Sequence, residues 1–182
     1  MFRISGISRK GKVQSVEKWS MTIHRLFSKD PNDEEENVTQ NIYVFRFILF
    51  CIIVYSFEML LNSVDIFIVD KTIFTRGYVT GCLFAAVYVL ILLHLGLEHP
   101  LTKYVSITAV SLIIMAASVS LTYHMIIIIM MPIIIAGMYT SKQLSIYTFV
   151  LTVLSIIIST YAGYYYGCLL YTSPSPRDRQ KS

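Results

Sequence analysis

The chain has 182 residues, of which 55% are hydrophobic and 14% charged, with 15 basic and 11 acidic residues and a mean hydropathy of +0.62. A soluble domain carries about 25% charged residues, so this balance excludes an ordinary water-soluble fold and predicts a chain solvated by lipid. The three cysteines, Cys51, Cys82 and Cys168, have neither the density of a disulfide framework nor zinc-ligand spacing, and the first two lie in apolar runs as packing residues.

Residues 1–41 are polar, with Arg3, Arg9, Lys10, Lys12, Lys18, Arg25 and Lys29 followed by the acidic run Asp33, Glu34, Glu35 and Glu36. Val13, Val16, Trp19, Ile23, Leu26 and Phe27 recur near helical spacing with basic residues between them. That pattern predicts a short amphipathic helix on anionic lipid, with a loosely ordered cytoplasmic tail as the alternative. No short apolar core with a small-residue cleavage site precedes the first span, so that span is the expected targeting element.

Five spans are expected over residues 43–167, at about 43–68, 78–97, 104–122, 124–140 and 144–166, since about 20 apolar residues cross a bilayer. Arg46 lies near one end of the first, with Asp65, Asp70 and Lys71 at the other. The second closes at Glu98, His99 and Pro100, where proline blocks continuation of the helix. Residues 104–141 contain no Asp, Glu, Lys or Arg and hold two spans, with the reversal expected around Ser118, Ser120, Thr122, Tyr123 and His124. The fifth ends in Tyr161, Tyr164, Tyr165 and Tyr166, which suit a headgroup interface. The expected fold class is therefore an all-α polytopic transmembrane bundle with a short cytoplasmic amphipathic segment. Arg25, Lys29 and Arg46 beside the first span predict a cytoplasmic N-terminus in the cytoplasmic membrane.

Residues 168–182 read CLLYTSPSPRDRQKS, an abrupt change of composition. The string CLLYTSPSPRD is an in-frame translation of a nucleotide sequence that resembles the transposon-end adapter of tagmentation libraries. The expectation is an adapter-derived tail, with the native gene continuing beyond Gly167. Setting aside its three basic residues and one acidic residue lowers the formal charge from +4 to +2.

Glu58 is the most informative polar residue, because an acidic group at the centre of a spanning helix costs about 2.5–3.5 kcal/mol on insertion scales. Asn62 and Asp65 follow at i+4 and i+7 and share its helical face. Interhelical hydrogen bonding that fixes packing is preferred here over a ligand- or proton-sensing site. Pro132 predicts a kink in the fourth span. Gly137 with Ser141, and Ser155 with Ser159, are spaced for close helix approach. His94, Glu98 and His99 match no metal-binding motif, so no metal is assigned, nor any cofactor. The chain has no P-loop, GxSxG, dinucleotide fingerprint or GGDEF string, which predicts a non-enzyme and no nucleic-acid partner.

The wording of HMIIIIMMPIIIAGMYTSKQLSIYTFVLTVLSIIISTYAGYYYG and FRFILFCIIVYSFEMLLNSVDIFIVDKTI resembles the N-terminal membrane region of clostridial-type GGDEF diguanylate cyclases. The resemblance covers about residues 43–167 and implies a membrane sensor or anchor of a bacterial signalling protein, whose output domain, making cyclic di-GMP, lies outside this sequence. A histidine kinase is a neighbouring reading, and a fragment of a transporter or integral membrane enzyme is the rival. The expected partners are the lipid bilayer, a second copy of the chain and a small ligand or signal.

Overall fold

The computed structural model describes residues 17, 19–27, 36–64, 71–121 and 126–172, and the side chains of these except at 120, 121, 126, 127 and 166–172. Every regular element among them is a helix: α1 (19–26), α2 (Glu36–Ser63), α3 (Lys71–Leu95), α4 (Thr102–Leu121), α5 (Ile126–Ile129), α6 (Met131–Gly137) and α7 (Lys142–Thr172). In lipid each backbone N–H and C=O must find its partner within the protein. Ile- and Val-rich runs that favour strands in water therefore form helices when proline is absent, as in α2, α3, α4 and α7. These four helices are long and apolar enough to cross a membrane. Phe50, Ile53, Phe57 and Leu60 on α2, Val79, Leu83 and Leu90 on α3, and Phe149, Val153 and Ile157 on α7 are exposed, an apolar surface that water does not tolerate and lipid does. The molecule is an all-α, multi-pass membrane bundle.

Several boundaries differ from the sequence expectation. The first helix runs from Glu36 to Ser63 rather than from Tyr43 to Ile68. The second begins at Lys71 and stops at Leu95. There Gly96, at φ 88°, takes the left-handed conformation and its N–H bonds the Leu92 carbonyl at 2.8 Å. A glycine cap therefore ends the helix before Pro100 can act. α4 carries Ser118 inside the helix, with Ser118 Oγ donating to the Ile114 carbonyl at 2.8 Å, so the expected reversal does not begin there, while Thr122, Tyr123 and His124 lie outside the described residues. The expected fourth span is two short helices that part at Met130. Pro132 has no N–H to offer the Ile128 carbonyl, and the Ile133 N–H closes a tighter turn onto Met130 at 3.0 Å. α7 runs on to Thr172, into the segment expected to be adapter-derived, while residues 173–182 and Asp65 lie outside the described residues.

The broken segment still traverses the bundle. Its far end is set by Ile128 and Met131, which share a cavity with Glu58, Ile114 and Ser118. At its near end the Tyr139 hydroxyl donates to Asn41 Oδ1 at 2.8 Å, and Gln40 Nε2 donates to the Met138 carbonyl at 2.6 Å. α2, α4 and α7 thus run from the near end to the far end, and α3 and the α5–α6 pair run back. α4 is central, packing against α2, α3, α5, α6 and α7. In its membrane-length window 56% of residues are buried, against 17% in α3.

α1 lies across the near end. Leu26 is buried, Arg46 Nε donates to its carbonyl at 3.3 Å, and the Phe27 and Phe45 rings meet edge-on at 5.9 Å. Arg25 pairs with Glu98 in the α3–α4 turn at 2.8 Å. Of the predicted apolar face, Leu26 enters the core while Trp19, Ile23 and Phe27 remain exposed.

Candidate functional site

The candidate site sits on the far half of α2. Glu58 is half-buried and lines a cavity of about 210 Å³ between α2, α4 and the α5–α6 pair. Its walls are Cys51, Tyr55, Ile114, Ser118, Ile128 and other apolar residues. The glutamate side chain has no hydrogen bond or ion pair among the described residues. Drug-sized ligands occupy about 300–1,000 Å³, so this cavity suits a smaller molecule or one segment of a longer one. Helix geometry places Asn62 one turn beyond Glu58; it is only 2% exposed, and its Oδ1 has no partner among the described residues.

The structure brings Glu58, Ser118 and the break before Pro132 to one cavity wall, because α4 and the broken segment both pass the far half of α2. Pro132 is itself buried at the start of α6. Toward α3, Tyr55 packs edge-on against Phe74 and Tyr78, both at 5.4 Å, and Ser56 Oγ lies 2.9 Å from the Tyr78 hydroxyl. A Cβ on Gly81 would stand 3.4 Å from the Tyr55 ring, so this glycine lets α3 approach α2 closely.

The other motifs separate by context. Ser155 and Ser159 are buried with Thr148 and Thr152 on one face of α7, a small-residue surface for helix packing. Gly137 meets nothing within 4 Å at its Cβ position, so the expected close approach at Gly137 and Ser141 does not occur. Glu98 is taken by Arg25, and His99 Nδ1 accepts the Leu101 N–H at 3.2 Å, a local cap on the turn.

Sequence reasoning missed the polar centre of the near end. Asn41 is 2% exposed, donates from Nδ2 to the Leu97 carbonyl at 2.9 Å and accepts from Tyr139. It ties α2 to the α3–α4 turn and to the α6–α7 turn at once. Nearby, the buried Tyr88 and Ser106 hydroxyls lie 3.1 Å apart and join α3 to α4. An Asn two residues before the expected span gave one signal, an amide at the edge of an apolar run, but its partners, the Leu97 carbonyl and the Tyr139 hydroxyl, are far away in sequence. Comparison with family models, curated proteins and solved structures finds no match to this chain.

Proposed function

We propose that this chain is the sensing and anchoring region of a bacterial signalling protein, in which α2 couples the far-end cavity to the near-end polar centre. The observation that supports the reading most is the Glu58 carboxyl, which lines an apolar cavity without a partner among the described residues. A carboxyl used only for packing would have its hydrogen bonds made. Seventeen residues of α2 separate Asn41 from Glu58, about 25 Å at 1.5 Å per residue. A small ligand or proton taken up at Glu58 therefore biases the same rigid helix that holds both near-end turns and α1.

In this proposal the near end faces the cytoplasm and the membrane is the bacterial cytoplasmic one. Arg25, Arg46, Lys103 and Lys142 lie toward that end, whereas Lys71 and Arg76 lie toward the other, in the direction of the positive-inside bias. The output is cyclic di-GMP synthesis by a domain carried on further sequence, as the family resemblance implies, and signalling operates through paired copies. Sequencing the locus past codon 167 from unfragmented source DNA tests this. A further span followed by a GGDEF-type domain is expected, and a continued series of spans would overturn it.

One observation favours the transporter reading: broken helices beside a membrane cavity mark substrate sites in many transporters, and α5–α6 breaks beside the Glu58 cavity. The same sequencing result separates the two.

A further inference from the structure

At the height of Glu58, on the opposite flank of α4, a groove opens between α3 and α4. Its volume is about 210 Å³, and Ile73, Phe84, Met115 and Val119 form half-buried apolar walls, with Arg76 and Thr80 at the exposed rim. The contacts of Tyr55 with Gly81 and of Ser56 with Tyr78 fix the height. They place Arg76 level with Glu58, about 25 Å from the Asn41 layer by helix rise. With the Asn41 layer taken as one boundary of a hydrocarbon core about 30 Å thick, this guanidinium lies close to the other, where phosphates begin.

Among the described residues the exposed Arg76 side chain has no hydrogen bond or ion pair, and none of those that line the groove is acidic. A charged group at this depth requires a counter-charge or water. A guanidinium holds a phosphate with two parallel hydrogen bonds. The apolar walls have no charge to offer a soluble anion, whereas an acyl chain matches them. With no carboxylate among the described lining residues to take an ammonium, the groove favours an anionic headgroup over a zwitterionic one.

We propose that the α3–α4 groove is a binding site for an anionic phospholipid of the far-end leaflet, with Arg76 holding the phosphate and the groove taking the start of one acyl chain. The site is separate from the Glu58 cavity and does not depend on its role.

The full chain, purified and placed in nanodiscs of phosphatidylcholine doped with phosphatidylglycerol, is released from lipid and weighed by native mass spectrometry. Retention of phosphatidylglycerol over phosphatidylcholine is expected, falling about tenfold in Arg76→Gln and by less in Arg76→Lys, which keeps charge but not the paired hydrogen bonds. Lys142→Gln at the near end should leave the preference unchanged. Thr80→Phe, which fills the groove from an exposed position, should release bound lipid with Arg76 intact. Unaltered preference in Arg76→Gln overturns the site, as does an equal loss in Lys142→Gln, which would reveal only diffuse charge. Full lipid retention in Thr80→Phe would overturn the acyl-chain assignment.

Discussion

Asn41 shows how much a single buried amide decides in this bundle. Its two hydrogen bonds reach the Leu97 carbonyl and the Tyr139 hydroxyl, both on buried residues. Leaving a buried polar group unsatisfied costs about 1–3 kcal/mol. Asn41→Ala should therefore destabilise the bundle by about 2–4 kcal/mol, and Tyr139→Phe by about 1–2 kcal/mol, as measured by unfolding in mixed micelles. If the two effects simply add in the double mutant, the network is not shared and the assignment fails. Glu58 should behave in the opposite way. Because its carboxyl has no partner among the described residues, Glu58→Leu is expected to leave stability unchanged or raise it. Glu58→Gln should preserve yield while removing any response of the downstream output to pH or cationic ligands. A large loss of folded protein in Glu58→Leu would show instead that the carboxyl holds helices together.

The helices differ in what ends them, and those ends are where substitutions should tell. Thr140, in the α6–α7 turn, has φ 48°, a left-handed conformation costing about 1–2 kcal/mol for a residue with a Cβ. Thr140→Gly should recover about 1 kcal/mol, read as a higher thermal midpoint, whereas Gly96→Val should lower it by at least as much, since Gly96 has φ 88°. Pro132→Ala restores an N–H to the turn that lacks one and is expected to join α5 and α6 into a continuous helix. Slower amide exchange across 129–133 would register that change, and unchanged exchange would show that packing rather than proline makes the break. The helix stop at Gly96 was hidden in the sequence by a more conspicuous Pro100. Both residues end helices, and the outcome depends on which the chain meets first.

Across the whole molecule, four helices are long and apolar enough to cross a membrane, and the α5–α6 pair returns from the level of Glu58 to that of Asn41; counting that return as a crossing predicts that the near end of α2 and the far end of α7 lie on opposite sides. In membrane vesicles, a cysteine at position 24, in a background lacking the native cysteines, should be protected from an external impermeant reagent, and one at position 164 should be reactive. Labelling of both from the same side would mean that α5–α6 does not complete its crossing. Composition alone determined the lipid environment, the all-α class and the helical identity of the apolar runs, because a bilayer leaves the backbone few ways to satisfy its hydrogen bonds. It also marked Glu58 and Pro132, since an acid or a proline inside a span is costly wherever the helix packs. Tertiary structure alone decided that α4 is central, that Asn41 joins two distant turns, and that Glu58 and Arg76 stand at one height on opposite flanks of α4. Those relations depend on which faces of separate helices meet, and periodicity within one helix carries no information about its neighbour's rotation or depth.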